Sequence, residues 1–181
     1  TGWFSPFGRP ARLDAQCPKC MSLERHRQLM LALDRGLLPN EPARVLHFVP
    51  EKILEQRFRA RWGAYQTADL FQPADFKLNM EAIDLPDASA DLIIANHVLE
   101  HVNDAKAPRE LSRILRPNGV LLCMAPIIEG WATTYENPDI TTHEGHAART
   151  IMCVAMAAIF AIALQRADST LVKKSQPRVR M

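Results

Sequence analysis

The chain has 181 residues, of which 48% are hydrophobic and 23% charged, with a net charge of +2. That is ordinary for one soluble globular domain with a real core. The tail from Gln165 onward holds five Lys or Arg against one Asp, so the body before it is slightly acidic, which argues against broad binding along a phosphate backbone. The chain opens with Thr rather than Met and shows no export signal, so a start further upstream and a cytoplasmic, reducing location are expected. Its four Cys then read as thiols or metal ligands rather than disulfides.

Cys17-Pro18-Lys19-Cys20 is a knuckle with metal-ligand spacing, but it is half a site, because tetrahedral zinc needs four ligands. A redox pair and plain coincidence stay open beside it. Ser22 to Leu38 reads as a helix with Leu23, Met30, Leu33 and Leu37 along one side, closed by Gly36 and Pro39. Arg44 to Phe48 is a strand. Glu51 to Arg61 is a helix with Ile53, Leu54 and Phe58 at helical spacing. Ala64 to Ala68 is a second strand ending at Asp69, and Lys77 to Met80 a short third. This alternation predicts βαβ units and a parallel sheet with right-handed crossovers.

The most informative stretch is Asp84 to Pro126, DLPDASADLIIANHVLEHVNDAKAPRELSRILRPNGVLLCMAP. Asp91 to Ala95 is an apolar run typical of a parallel strand covered on both faces. It stops at Asn96-His97, at a carboxyl edge of the kind where open α/β sheets bind ligands. An amphipathic helix follows, with Asn103 or Asp104 as N-cap, Pro108 near its first turn, and Ala107, Leu111, Ile114 and Leu115 on one face. Pro117-Asn118-Gly119 ends it, and Val120 to Met124 is the next strand.

In order and wording these 43 residues resemble the second half of the class I S-adenosylmethionine-dependent methyltransferases, of the methyltransferase type 11 kind. There the pattern LP…D.SFD…LEHV.D…EL.R.L.P.G is close to a signature; Ala90 stands where the family usually has Phe. The resemblance implies an α/β Rossmann-like parallel sheet. It also implies S-adenosylmethionine as cofactor and methyl transfer as the reaction.

A typical member has an acidic residue and a glycine-rich turn after the first strand. This chain has VLHFVPEKIL, with no glycine. Either the cofactor has been lost, or His47, Phe48, Pro50 and Glu51 shape the turn differently. The second reading is preferred, because a subset of methyltransferase-like proteins carries a similar VLHFAPE turn together with a CP.CGS.ERHR segment. Glu51 is then a partner for the cofactor's ammonium group, or simply a carboxylate favoured at a helix N-terminus.

Asp69 lies 22 residues after His47, near the spacing at which an acidic residue accepts both ribose hydroxyls in Rossmann-like nucleotide sites. Its plain alternative is a surface Asp in a turn. Leu70 follows it, and the resemblance puts Asn79 and Met80 beside the adenine ring. Asn96, His97, Glu100 and His101 form the candidate active-site wall, Asn96 counted with the cofactor contacts. Methyl transfer is an in-line displacement, so alignment does most of the work. A general base is needed only if the acceptor loses a proton, and His97 or His101 is the candidate. Both also have plain roles, as a cap, a cleft lining or a tie between helix and sheet.

The resemblance also puts another Cys-x-x-Cys upstream of residue 1. Cys17 and Cys20 then become half of one structural zinc site in an intact protein, with stable zinc binding not expected of this chain by itself. Cys123 and Cys153 read as small core residues.

Near Gly145 the chain changes character. Ile151 to Leu164 is an unbroken run of 14 apolar residues, short of the roughly 20 that a membrane helix needs. Read from the preceding nucleotide, Met152-Cys153 must give Val and Met156-Ala157 must give Gly. The surrounding codons permit Asp-His-Val-Arg-Arg-Tyr-Gly-Arg-Asp-Phe, a string like the one the family carries after its fifth strand. A frameshift near Gly145 is therefore expected, with 151–164 at most a loosely docked helix. The last strands would be missing and the sheet edge after Val120 to Met124 partly open.

The chain thus divides into a half zinc-ribbon-like segment and helix (1–40), a Rossmann-like methyltransferase core (41–145) and an atypical tail (146–181). The function expected is methyl transfer to a small-molecule acceptor, with no nucleic-acid or membrane partner. A non-catalytic scaffold that kept the fold is the alternative. A nucleic-acid methyltransferase with a zinc ribbon as reader is disfavoured, because the chain shows neither a basic stripe nor an Asn-Pro-Pro-aromatic motif. Acceptor and oligomeric state are not legible.

Overall fold

The computed structural model describes residues 3–8, 11–103, 105–127 and 155–163. Strands β1 (Ser5–Phe7) and β2 (Arg12–Gln16) form an antiparallel hairpin that leads into the Cys17–Cys20 knuckle. The rest is a six-stranded sheet with helices on its faces: α1 (Glu24–Asp34), β3 (Val45–Phe48), α2 (Lys52–Arg61), β4 (Tyr65–Asp69), β5 (Phe76–Lys77), β6 (Ala90–Asn96), α3 (Lys106–Ile114), β7 (Leu115–Ile127) and β8 (Ala155–Ala163). A 3₁₀ turn, Leu99–His101, sits between β6 and α3. Among the described residues no helix is long and apolar enough to cross a membrane.

The strand order is β5-β4-β3-β6-β7-β8. All pairs are parallel except β7–β8, which is antiparallel. The chain steps outward from β3 through β4 to β5, then returns to lay β6 on the other side of β3. Helices following strands in opposite directions with one hand must lie on opposite faces. The core divides accordingly. Leu46, Phe48, Ile93 and Ala95 pack with Ala107, Leu111 and Ile114 of α3. Val45, Leu92, Ile94, Leu122 and Met124 pack with Leu29 and Leu33 of α1 and Leu54 and Phe58 of α2. β3 and β6 are therefore covered on both sides, as their uninterrupted apolar content requires.

The spacing of the Asp84–Pro126 stretch has a mechanical cause. Glu110 and Arg113, one helical turn apart on α3, grip the loop that precedes β6. Glu110 Oε2 accepts the Ile83 amide at 2.9 Å. Arg113 donates to the Ile83 and Leu85 carbonyls at 2.7 and 2.8 Å and to Asp87 at 2.8 Å. Asn103 caps α3 as expected, its Oδ1 accepting the amides of Ala105 and Lys106 at 3.1 and 3.0 Å. Asp104, the other expected cap, lies outside the described residues. Gly119 has no room for a side chain, since a Cβ there would stand 2.8 Å from Leu115 and 2.9 Å from the Arg116 carbonyl.

Three expectations need correction. α1 ends at Asp34, because Gly36 turns the chain with φ +70°. Its buried side is therefore His26, Leu29, Ala32 and Leu33, while Leu37 is 65% exposed and Leu38 takes the buried place. The third strand of the core is Phe76–Lys77 rather than 77–80, and Asn79 instead forms an isolated bridge with Ala82. The run expected as a loosely docked helix forms a strand where it is described. Ala155–Ala163 pairs antiparallel with β7, Val120 facing Ala163 and Met124 facing Ile159. Helix propensity lost here to the unpaired backbone groups of the β7 edge, which a strand satisfies and a helix cannot. The edge after Val120 to Met124 is thus covered, not open. The break expected near Gly145, and all else in 128–154 and 164–181, lies outside the described residues.

Replacing Arg113 with Met should strip the loop before β6 of three hydrogen bonds and lower stability by about 1–3 kcal/mol. Urea unfolding at neutral pH checks this; a change within error would show that the grip is dispensable.

Candidate functional site

The strand order reverses between β3 and β6, and in open α/β sheets ligands bind at the carboxyl ends of the strands at such a point. Phe48 of β3 lies beside Ala95 of β6, so the two strand ends emerge together. Both are followed by a non-glycine residue in the left-handed region, Val49 at φ +48° and His97 at φ +52°. A β-branched residue is rarely found there, at about 1–2 kcal/mol of strain. Each is held by a bond to its neighbouring strand: Val49 N–H donates to the Ala68 carbonyl at 2.9 Å and His97 N–H to the Met124 carbonyl at 2.7 Å. The backbone thus turns sharply after each strand, at the edge where a sheet of this order forms its ligand crevice.

Asn96 closes β6 at this edge. Its side chain is 3% exposed, and neither its Oδ1 nor its Nδ2 has a hydrogen-bond partner among the described residues. Next to it the Nε2 of His97 and the Oε2 of Glu100 are likewise buried and unpartnered among those residues. His97 Nδ1 faces Glu100 Oε1 at 3.7 Å. Leaving such atoms unsatisfied is unfavourable by about 1–3 kcal/mol each, and an amide offers both a donor and an acceptor to whatever fills the space. His101, the other candidate base, is exposed at the end of the 3₁₀ turn.

The turn after β3 differs from the expectation. His47 points into the core, not the crevice: it is fully buried against Phe58 and Tyr65, and its Nδ1 shares a 2.7 Å hydrogen bond with the Tyr65 hydroxyl. Burial pushes its pKa down to about 3, against the opposing pull of the Glu51 charge. Period-two alternation explains this, since Leu46 and Phe48 face α3 while Val45 and His47 face α2. Phe48 is buried in the α3 layer. Glu51 immediately precedes α2, and its Oε1 is engaged by the Arg25 guanidinium, with Nε at 2.9 Å, and by His26 Nε2 at 2.8 Å. Burial works against its charge, but the bonds from His26 and Arg25 prevail and hold its pKa at about 2. Arg25, His26 and Tyr65 had no role from sequence; the run ERHR was the only signal for the first two.

Asp69 ends β4 at the same edge, 7% exposed. Its Oδ1 accepts the amides of Phe71 and Gln72 at 2.7 and 2.8 Å, so one oxygen is committed to fixing the loop that follows. Leu70 is partly exposed and Phe71 is 87% exposed, an aromatic set in water beside the crevice that the sequence reading passed over. Met80 belongs to the core layer under α3, whereas Asn79 is exposed, its Oδ1 accepting the Glu81 amide at 3.0 Å.

Cys17 and Cys20 lie in the knuckle after the hairpin. Among the described residues no third His, Cys, Asp or Glu joins them in a group able to hold a metal, so two of zinc's four ligands are lacking. Cys20 Sγ is instead hydrogen-bonded with the Ser22 hydroxyl at 3.2 Å. Hydrogen bonds from the Ser22 side chain and backbone, then from Cys17, bring its thiol down to about 7.

Residues 43–123 match the family described as a methyltransferase domain. No curated protein matches. Among solved structures the chain is similar to the YcgJ protein from Bacillus subtilis (20% identity, 57% of this chain and 52% of that one, TM-score 0.47). It is also similar to an S-adenosylmethionine dependent methyltransferase from Mesorhizobium loti (18% identity, 51% of each chain, TM-score 0.42). A third is the 1,6-didemethyltoxoflavin-N1-methyltransferase of Burkholderia thailandensis, solved with 1,6-didemethyltoxoflavin and S-adenosylhomocysteine (20% identity, 59% of this chain and 54% of that one, TM-score 0.48). The chain spans about half the length of these structures.

Two predictions follow from the titrating groups. The folded chain refuses a proton at His47 that the unfolded chain takes up near pH 6.5, so stability present above that pH is lost progressively as pH falls toward about 3. Between pH 7.5 and 5.5 this amounts to roughly 1–2 kcal/mol, above the range in which Glu51 protonates. Urea unfolding at the two pH values should show that loss, and His47→Gln should remove it; an equal loss in both proteins would refute the assignment. Cys20 should be half-maximally alkylated by iodoacetamide near pH 7, and Ser22→Ala should move the midpoint toward the usual thiol range of about 8.5. Peptide mass spectrometry across pH reads both midpoints.

Proposed function

With residues 43–123 belonging to the methyltransferase domain family, we propose that the chain is the core of an S-adenosylmethionine-dependent methyltransferase acting on a small-molecule acceptor at the crevice between β3 and β6. The observation that carries this reading is the buried Asn96 amide with both polar atoms unpartnered among the described residues, at the point where the strand order reverses. A buried amide at that edge offers a ligand both a donor and an acceptor.

The residues present suit the cofactor. Asp69, with Oδ1 fixed by two loop amides, would have Oδ2 to offer the ribose hydroxyls. Leu70 and Asn79 flank the adenine side, with Met80 supporting from the core. Val49 supplies without glycine the backward bend that lets the backbone approach the methionine part. Glu51 Oε2, unpartnered among the described residues, would be the acceptor for the ammonium group, since Oε1 is taken. When bound, S-adenosylmethionine supplies an electrophilic methyl group on a sulfonium. This chain's residues align the acceptor with that methyl in a space that excludes water. Where the acceptor is an N–H or O–H group, His97 takes its proton at Nε2 while Glu100, facing Nδ1, stabilises the charged ring. His101 is placed as an exposed outer group of the same wall. A structural zinc would need two ligands from outside Cys17 and Cys20, and we place the protein in the cytoplasm.

A second reading, a non-catalytic protein of this fold, is favoured by the glycine-free turn and by the prior engagement of Glu51. Calorimetry separates the two. S-adenosylhomocysteine should bind, and Asp69→Ala should weaken binding at least about tenfold, equivalent to roughly 1.4 kcal/mol. No heat of binding at millimolar ligand would support the second reading, and an unchanged Kd in Asp69→Ala would remove Asp69 from the site.

A further inference from the structure

The run Glu24-Arg25-His26-Arg27 opens α1, and each of its side chains leaves the helix to hold another part of the molecule. Glu24 forms a two-point pair with Arg12 of β2, at 2.8 and 3.2 Å. Arg27 donates to the carbonyls of Ala15 and Ser22 at 3.1 and 2.8 Å, with its guanidinium 4.6 Å from the centre of the Phe4 ring. These two bind α1 to the hairpin and the knuckle. Arg25 and His26 reach the other way, 26 and 25 residues along the chain, to the single oxygen Glu51 Oε1. His26 accepts the Leu23 amide at Nδ1 at 3.1 Å, and its Nε2 lies 2.8 Å from the carboxylate oxygen.

Glu51 sits where restraint has the most leverage. Its carbonyl accepts the amides of Leu54 and Glu55 at 2.8 and 3.0 Å, so it seeds α2. Two residues before it is Val49, held in the left-handed region at the mouth of the crevice. Nothing in Val49-Pro50-Glu51 prefers that bend as a glycine would. Something outside the turn must stabilise it, and a half-buried carboxylate gripped by a forked guanidinium and an imidazole is the strongest polar restraint on it.

We propose that Arg25 and His26 are positioning residues for the cofactor: through Glu51 they hold the turn Val49-Pro50-Glu51 in its bent form, the work that a glycine-rich turn does by backbone freedom alone. This rests on the reading that S-adenosylmethionine binds at this crevice. It gives the ERHR run a function that depends on the glycine-free turn, so the two sequence features form one device. The N-terminal helix becomes part of the binding site without touching the ligand.

The test uses the full chain and its variants Arg25→Met, Arg25→Lys, Glu51→Gln and the double Arg25→Met/Glu51→Gln, with two readouts. One is the Kd for S-adenosylhomocysteine by calorimetry, and the other is amide hydrogen exchange in the peptide spanning residues 49–55. Arg25→Met and Glu51→Gln should each weaken binding roughly tenfold and speed exchange, the double variant should be no worse than the poorer single one, and Arg25→Lys should recover part of the loss. Should Arg25→Met fail to fold, the nearly isosteric Glu51→Gln carries the comparison through exchange alone, because Glu51 is also read as the partner of the ammonium group: faster exchange supports the clamp, and unchanged exchange overturns it. A lower melting temperature with unchanged Kd would mean that the clamp merely anchors α1, and the proposal falls. If the unaltered chain binds no S-adenosylhomocysteine, the methyltransferase reading fails instead. Exchange alone then decides whether the turn is restrained: faster exchange in Arg25→Met supports the clamp, and unchanged exchange overturns it.

Discussion

Two adjacent strands buried on both faces, Val45–Phe48 and Ala90–Asn96, set the terms for everything else in this molecule. A strand with no solvated face must be covered above and below, so helices are required on both sides of the sheet. Because the chain leaves β3 in one direction and β6 in the other, its return connections supply one covering layer each. The same reversal parts the loops at the carboxyl ends of these two strands. The crevice is thus a by-product of covering the sheet, and Asn96, the last residue of the buried strand, is delivered to it with its amide still unpaired among the described residues.

Much of this was legible in the sequence where the interactions are local. The β6–α3–β7 unit could be read because its register is enforced by pairs close in the chain or at fixed spacing: Asn103 on the first turn of α3, Glu110 with Arg113, and Gly119 against Leu115. Asp69 was placed at a strand end by spacing, and the structure puts it there. What escaped was decided at long range. His47 looked like a site residue because it stands near a strand end, yet the face it points to is set by alternation along β3 and by Tyr65, 18 residues away. The run at 155–163 looked helical because composition speaks only of local preference, while the β7 edge that recruits it as a strand is a property of the assembled sheet. Leu37 seemed to continue a helical stripe that Gly36 interrupts.

The polar interactions fall into two groups with different physics. Surface pairs such as Glu55 with Arg59 contribute little on their own. The partly buried ones, around Glu51 and around Arg113, fix the position of loops that lack regular secondary structure. A carboxylate withdrawn from water is tolerated only with several donors, so each such group commits its surroundings to one geometry. In this chain the two commitments lie at opposite edges of the sheet: Glu51 at the carboxyl end, after β3, and Glu110 with Arg113 at the amino end, in front of β6.

The left-handed backbone at Val49 and His97 has a thermodynamic consequence for any ligand. Both bends are already present in the free chain, anchored by hydrogen bonds to Ala68 and Met124 and stabilised by the surrounding fold. Their strain is charged against folding rather than against association. A molecule entering the crevice therefore meets a rigid rim and loses little affinity to ordering of the backbone, so selectivity among ligands falls to the shape of that rim and to the few polar groups facing inward.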